Sequence, residues 1–236
     1  MSKFMIHTYP KREWYVLNYL VPSMIKQGIN KDDIIIISDR EGIGNLESWL
    51  SSLKMVKEDT WHLQDDIVIC SDFKARTEVL DYLKTIVCGF VHYDFNTGST
   101  LCTGFTIPKF MFMSFPCIFI PKKYSDDFLK WFYTEETQKN HKKEIDSKKN
   151  DDLLFYKFIL EWYPDLTIYN CKPCLVDHID YLIGGSSVNL RKYEGQQVRA
   201  YYWNEENLIK DLEKRLKNGY NRINTSNNIN VHTNIN

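Results

Sequence analysis

The chain has 236 residues and a net charge of -1, with 43% hydrophobic and 14% aromatic residues. This composition can fill the core of one domain, and it excludes a protein that binds nucleic acid through an overall basic charge. The sequence contains no apolar run of roughly 18 residues, so it predicts neither an export signal nor a membrane span. We therefore expect a soluble protein of the cytoplasm.

The first half of the chain predicts strands that alternate with helices. Apolar residues recur at helical spacing after the first strand, where Pro22 interrupts the helix and Gly28 ends it. A strand, a helix and a strand with short connections form a βαβ unit with parallel strands. The predicted elements are strand 4–7, helix 14–27, strand 33–39, helix 46–53, strand 61–70, helix 72–85 with Val79, Leu80 and Leu83 inward, and strand 87–93.

The second half continues the pattern but contains two polar segments. Residues 137–150 are rich in lysine and lack apolar periodicity, which predicts a surface loop that is either a solvated insertion or a lid. Residues 218–236 are rich in asparagine, which predicts a disordered tail after a domain of residues 1–217. The other predicted elements are strands 104–108 and 117–121, helix 124–135 capped by Ser125, helix 151–163, strand 166–169, a strand-like segment 173–179, a flexible stretch 184–187 and helix 204–216.

Six cysteines lie mostly in apolar, strand-like stretches. Because no export signal is present, we expect reduced thiols that pack as small hydrophobic side chains. Cys171 and Cys174 have the spacing of a redox pair or of half a zinc site. No second pair accompanies them, and Leu175 and Val176 follow where a redox motif would open a helix. The sequence therefore favours a structural role for both cysteines.

Adjacent carboxylates mark the strand at residues 61–70. Asp65 and Asp66 stand between apolar residues that predict a buried strand, and two buried like charges cost several kcal/mol unless they are compensated. A divalent cation with oxygen ligands would compensate them. The alternative is a strand that ends in a solvated turn, with both carboxylates facing water.

Two further pairs of residues that include acidic side chains also lie at the end of a predicted strand or the start of a predicted helix. Asp151 and Asp152 open a helix, and Asp177 and His178 end a strand-like segment. In an open α/β sheet such ends gather at one edge and form the binding crevice. A carboxylate and an imidazole there can share a metal, and a carboxylate at a helix start can be a general base. Ordinary helix capping by Asp151 and Asp152, and a structural role for His178, are the alternatives.

The order of these motifs resembles that of a glycosyltransferase of the GT-A fold, over nearly the whole chain to about Trp203. The resemblance predicts an α/β domain, Rossmann-like, with a mixed and mainly parallel sheet and helices on both faces. The motifs that carry it are TYPKR at 8–12, LVPSMIKQG at 20–28, IIIISD at 34–39, GIG at 42–44, LQDDIV at 63–68, DDLL at 151–154, PCLVDH at 173–178 and SS at 186–187.

The resemblance also implies roles for single residues. It places Asp66 and His178 on a Mn²⁺ or Mg²⁺ ion and makes Asp152, with Asp151 as the near alternative, the base that activates the acceptor hydroxyl. Gln64 departs from the family's usual acidic residue, which predicts metal binding that depends on the donor. Arg191, Arg199 and lysines of 137–150 are further phosphate contacts or plain surface charges. The residues implied to hold the nucleotide-sugar donor are Thr8, Pro10, Arg12, Asp39, Gln64 and Asp65.

The function that follows is a metal-dependent, inverting glycosyltransferase of the hexosyltransferase type that uses a UDP-sugar. Its acceptor is a glycan, a protein or a hydroxylated DNA base of the kind some viruses modify; a viral enzyme would act in the host cytoplasm. A nucleotidyltransferase is an alternative, although the loop at 9–12 lacks the glycines of a phosphate-binding loop. A catalytically inactive module that binds nucleotide sugars is another.

Overall fold

The structure, a computed structural model, describes residues 2–91, 115–183, 199–217 and 231–233. Nearly all of its strands coincide with apolar stretches of the sequence, as the pattern predicts. The predictions for 104–108 and 184–187 lie outside the described residues. The strands are β1 (Lys3–Thr8), β2 (Ile34–Ser38), β3 (Thr60–Gln64), β4 (Ile67–Ile69), β5 (Val87–Cys88), β6 (Cys117–Ile120), β7 (Tyr169–Asn170), β8 (Val176–His178) and β9 (Val231–Thr233).

Helices connect most of these strands. The first, α1, has three consecutive parts, Glu13–Tyr15, the π-helical Val16–Leu20 and Val21–Lys26, and short 3-10 turns cover Lys31–Asp33 and Asp81–Leu83. The remaining helices are α2 (Asn45–Met55), α3 (Phe73–Leu80), α4 (Lys122–Phe132), α5 (Glu135–Asn140), α6 (Lys142–Asp146), α7 (Asp151–Trp162), α8 (Asp180–Ile183) and α9 (Glu206–Lys217). No helix in the described ranges is both long and apolar enough to cross a membrane.

Seven strands form one sheet in the order β7-β5-β6-β3-β1-β2-β9. Strand β1 pairs in parallel with β2 and β3, β2 with β9 and β5 with β7, whereas β6 is antiparallel to β3 and β5. A separate antiparallel pair joins β4 to β8. The predicted mixed, mainly parallel sheet is confirmed.

Side chains that alternate along the strands bury both faces of the sheet. In β6, Cys117 and Phe119 belong to a cluster with α1, α3 and α9, whereas Ile118 and Ile120 belong to a cluster with α2, α4 and α7. Successive strand residues point to opposite faces, so one apolar strand serves two layers of helices. The predicted cover of helices on both faces is confirmed.

Gly89 allows the closest approach in this core. A methyl group at this position would lie 2.5 Å from the Sγ atom of Cys117 and 3.1 Å from Leu175. Overpacking of this kind costs about 1–3 kcal/mol, so we expect Gly89→Ala to lower the free energy of unfolding by that amount in urea titrations. Cys117→Ala supplies the control background because it removes the Sγ atom that the new methyl group would meet, so Gly89→Ala should cost less stability there. An equal loss in both backgrounds would contradict the packing argument.

Several boundaries differ from the predictions. Helix α4 begins at Lys122, so Ser125 lies inside the helix and is buried instead of capping it. Residues predicted as a polar loop at 137–150 instead form most of α5 and all of α6. Thr134 caps α5 by accepting from the backbone N–H of Thr137, and Lys157 of α7 pairs with Glu144 at 2.5 Å. The loop prediction is wrong because these capping and ion-pair contacts supply the order that apolar periodicity lacks.

Two further corrections concern α3 and the tail. Val79 is 69% exposed and Leu83 44% exposed, so of the three residues predicted to point inward only Leu80 is buried. Residues 231–233, predicted as part of a disordered tail, form β9 beside β2. The rest of 218–236 lies outside the described residues, and its disorder stays a prediction.

Candidate active site

The candidate site lies where β1 and β3 end, next to each other in the sheet. The chain leaves β1 toward β2 on one side, whereas β3 lies on the other side of β1. Such a reversal is the topological switch point at which open α/β sheets bind ligands, outside the carboxyl ends of the strands. Thr8 ends β1, and Asp65 and Asp66 stand between β3 and β4. The predicted single strand 61–70 is therefore two strands, broken at the carboxylates.

A buried arginine bridges the two carboxylates. The Nη1 atom of Arg12 lies 2.9 Å from Oδ1 of Asp65 and 2.5 Å from Oδ2 of Asp66. The hydroxyl of Thr8 donates to Oδ2 of Asp65 at 2.8 Å. The side chain of Arg12 is 2% exposed, and both aspartates are buried. The alternative of two carboxylates facing water is therefore excluded.

The late segment brings an imidazole to the same place. Strand β8 pairs with β4 so that His178 lies opposite Ile67. The Nε2 atom of His178 lies 3.1 Å from Oδ2 of Asp66, and its Nδ1 atom lies 3.5 Å from Asp180. Residues 112 positions apart in the sequence thus meet, as the motif order predicts.

The charges of this cluster shape its pKa values. Burial and the neighbouring charge of Asp66 raise the pKa of Asp65 to about 6, against the opposing effect of Arg12. Burial also acts to raise the pKa of Asp66, but His178 and Arg12 outweigh it and hold that pKa at about 2. Burial acts to lower the pKa of His178, yet Asp66 raises it above the ordinary value. Near neutral pH Asp66 is therefore an anion beside the guanidinium of Arg12, and its charge favours the protonated form of His178.

Asp177 supports His178 from inside the protein. Its side chain is 0% exposed, and it accepts hydrogen bonds from the backbone N–H of His178 at 2.8 Å and of Ala200 at 2.6 Å. Its Oδ2 atom also pairs with Arg199 at 2.5 Å. Arg199, considered for phosphate binding, is thus a partner of Asp177. Three donors around one carboxylate fix the segment that carries His178.

The other residues implied for the donor lie around this cluster. Pro10 is exposed in the turn after β1, where the N–H of Arg12 donates to the carbonyl of Tyr9 at 2.9 Å. Gln64 is half-buried at the end of β3, and its backbone N–H donates to Pro116 at 3.0 Å. Their predicted contacts with a donor stay predictions.

Asp39 holds a loop together. Its carboxylate accepts from the backbone N–H groups of Ile43 at 2.9 Å and Gly44 at 3.0 Å. Gly44 has a φ of 97°, and a Cβ atom there would lie 3.1 Å from the carbonyl oxygen of Lys148. That carbonyl accepts from Leu46 at 3.2 Å. These contacts place the start of α7 beside the start of α2, at the carboxyl end of β2.

Asp151 and Asp152 open α7 at this place. Burial, then the charge of Asp152, raises the pKa of Asp151 to about 7. Burial likewise raises the pKa of Asp152, whose Oδ1 atom accepts from the N–H of Leu153 at 2.7 Å. In the described part of the chain, no hydrogen bond or ion pair joins either side chain to Asp65, Asp66 or His178. The structure therefore assembles the carboxylate and imidazole cluster without bonding it to the two helix-opening aspartates.

A resident metal ion does not fit the donor atoms of the cluster. Both oxygens of Asp65 are bonded to Thr8 or Arg12, and Oδ2 of Asp66 is bonded to Arg12 and lies against His178. Of the four carboxylate oxygens in this cluster, Oδ1 of Asp66 is the one buried without a hydrogen-bond partner among the described residues, and Nδ1 of His178 likewise accepts or donates none. Octahedral ions need six ligands, and a guanidinium already lies against both carboxylates. Within the described residues, three ligand atoms converge only at Cys70, Asp72 and Glu205.

Some contributors were not predicted. Tyr15 of α1 donates its hydroxyl to the carbonyl of Ile67 at 2.7 Å, which fixes the residue that follows the aspartates. His7 and His62 contact each other at 3.1 Å on neighbouring strands, and burial lowers the pKa of His7 to about 4. No sequence signal predicts Tyr15. Strand β1 pairs with β3 so that Met5 lies opposite His62, and His7, two residues after Met5, therefore lies on the same face as His62.

Comparison with known proteins gives only distant likenesses. No family model and no curated protein matches the chain. Among solved structures, S. aureus TarS 1-349 matches with a TM-score of 0.49 and 14% identity, over 75% of this chain and 60% of that chain. The same TarS fragment in complex with UDP-GlcNAc matches with a TM-score of 0.48 and 12% identity, over 75% of this chain and 58% of that chain. A Bacillus anthracis protein described as a glucose-1-phosphate thymidylyltransferase matches with a TM-score of 0.39 and 10% identity, over 63% of this chain and 85% of that chain.

The chain thus spans about 60% of the length of the TarS fragment it resembles.

Proposed function

We propose that this protein is an inverting glycosyltransferase that takes a sugar from a nucleoside diphosphate donor, with UDP as the nucleotide. The observation that carries the proposal is the buried cluster of Thr8, Arg12, Asp65, Asp66 and His178 at the β1/β3 switch point. Burying several charged side chains together costs folding free energy, because apolar residues in the same place would stabilise the core more. Clusters of this kind are therefore typical of functional sites. The motif order described above adds support for this class of enzyme.

The proposed reaction needs one base and one leaving group. The acceptor hydroxyl attacks the anomeric carbon, the bond from that carbon to the phosphate oxygen breaks, and the nucleoside diphosphate departs. The hydroxyl proton passes to a carboxylate at the start of α7. Asp151 suits this role because its pKa of about 7 allows it to accept a proton near neutral pH. Asp152, the residue first expected to be the base, is the neighbouring alternative.

The donor pocket is tested by a thermal-shift screen of UDP, GDP, CMP and dTDP sugars. A ligand that binds only the folded protein stabilises it by RT ln(1 + [L]/Kd), so the correct donor stands out. We expect Asp66→Asn to reduce turnover by at least tenfold because Arg12 and His178 both depend on that carboxylate for their positions. Asp165→Asn, an exposed change after α7, is the control.

Several outcomes would contradict the proposal. Unchanged turnover in Asp66→Ala would remove the cluster from the mechanism. Release of pyrophosphate from a nucleoside triphosphate and a sugar phosphate would indicate a nucleotidyltransferase, and donor binding without turnover on any acceptor would indicate a binding module. Glycans, proteins and hydroxymethylated DNA are the acceptors to compare, and a DNA acceptor should bind less tightly as salt increases.

A further inference from the structure

The position of Arg12 has a consequence for metal dependence. One nitrogen of its guanidinium contacts carboxylate oxygens of both Asp65 and Asp66, at 2.9 Å and 2.5 Å. A bridging position between paired carboxylates is where a divalent cation would lie in a site of this kind. The side chain of Arg12 is 2% exposed, so this cation is part of the folded protein and does not exchange with solvent.

The charge balance also indicates that Arg12 occupies the position of a divalent cation. Arg12 cannot lose its proton in a protein, so it cancels one carboxylate charge at every pH of interest. The Nε2 atom of His178 lies 3.1 Å from Oδ2 of Asp66, the same oxygen that Arg12 contacts. A Mn²⁺ or Mg²⁺ ion placed at the same oxygens would stand beside a buried guanidinium, and the repulsion between them is strong in a site screened from water.

We propose that Arg12 is the built-in counter-ion of the carboxylate pair, so that donor binding needs no divalent metal. The inference rests on the proposed function. Arg12 is a positioning residue in this scheme: it offsets one of the two negative charges of Asp65 and Asp66, so an anionic diphosphate is repelled less than by two bare carboxylates. Removing Arg12 should create the metal site that the wild-type protein lacks.

The first experiment measures Mn²⁺ binding by electron paramagnetic resonance without any nucleotide. We expect Arg12→Gln to bind more Mn²⁺ than the wild-type protein and Arg12→Lys, because only this variant loses the positive charge; any Mn²⁺ held at Cys70, Asp72 and Glu205 is common to all three proteins. Arg215→Gln, which removes an exposed arginine of α9, is the matched control and should bind no more Mn²⁺ than the wild-type protein. Absence of additional Mn²⁺ on folded Arg12→Gln would overturn the inference, whatever the activity of the protein.

The second experiment measures UDP binding in EDTA and in Mn²⁺. For the wild-type protein we expect apparent Kd values that agree within about twofold, whereas Arg12→Gln should bind UDP at least about tenfold more tightly in Mn²⁺. Wild-type binding that requires Mn²⁺ would overturn the inference even if Arg12→Gln did not fold. Absence of UDP binding under both conditions would instead contradict the proposed function, while the Mn²⁺ measurement would still decide the role of Arg12.

Discussion

Asp151→Asn should lower the rate of sugar transfer by at least about 100-fold, with little effect on donor binding. The asparagine side chain keeps the shape of the aspartate but cannot accept the proton of the acceptor hydroxyl. In the wild-type protein, kcat/KM should increase with pH and level off above about 7, the pKa to which burial and Asp152 raise this carboxyl. The variant should lose that pH dependence. Initial rates between pH 5 and 9 test both expectations.

The same variant should be more stable than the wild-type protein at alkaline pH. Because the pKa of Asp151 is raised in the folded state, stability is greatest below the unfolded value of about 4 and is lost as pH rises through about 7. Asparagine does not ionise, so the variant avoids this loss, worth on the order of 2–4 kcal/mol at pH 8. Asp165→Asn should change neither property. A normal rate in Asp151→Asn together with a low rate in Asp152→Asn would assign the base to Asp152.

Asp177→Ala should lower the free energy of unfolding by about 3–5 kcal/mol. Alanine leaves the N–H groups of His178 and Ala200 without their acceptor and leaves Arg199 without its buried partner. Urea unfolding at neutral pH measures the loss.

Glu206→Ala is the matched control for this prediction. Glu206 pairs with the same Arg199 at 2.8 Å, but its side chain is 57% exposed. An exposed ion pair contributes only about 0–1 kcal/mol, so the two variants compare one guanidinium with a buried partner and an exposed one. Similar losses in both would contradict the view that burial makes Asp177 the anchor of the His178 segment.

Apolar periodicity accounts for most of the fold that could be predicted. The strands near residues 4–7, 33–39 and 117–121 and the helix at 151–163 follow directly from it, because burial on one or two faces requires these spacings. The break between Gln64 and Ile67 was harder to foresee, since a stretch with apolar residues on both sides of two aspartates reads as one strand. Strand β4 leaves the main sheet to pair with β8, and pairing over such a separation leaves no local signal.

The helices α5 and α6 escaped prediction for a different reason. Their sequence is polar, and ion pairs and hydrogen bonds with α7 stabilise them, including contacts of Glu161 and Lys157 with His141 at 2.9 Å and 3.3 Å. At Val79 the prediction failed in the opposite direction, since burial was predicted and the side chain is exposed. An apolar side chain at helical spacing can still face water.

The sequence predicted which residues meet at the candidate site better than it predicted the hydrogen bonds and ion pairs between them. Asp66 and His178 were expected to share a metal, and they do lie together, but a guanidinium lies against the same carboxylate. Motif order can bring residues to one edge of a sheet. It does not say which of them bond to each other, because Arg12 reaches Asp65 and Asp66 from the turn after β1, whose course the motifs do not specify.

The pairing of β4 with β8 also bears on how the protein is made. During synthesis on a ribosome, the carboxylates and their arginine are present long before residue 178 leaves the exit tunnel. Closing a contact of such sequence separation is slow compared with local helix formation. Until then the nascent chain carries the acidic pair and Arg12 without the imidazole. The complete cluster would therefore form late, after β1, β2 and β3 have been synthesised.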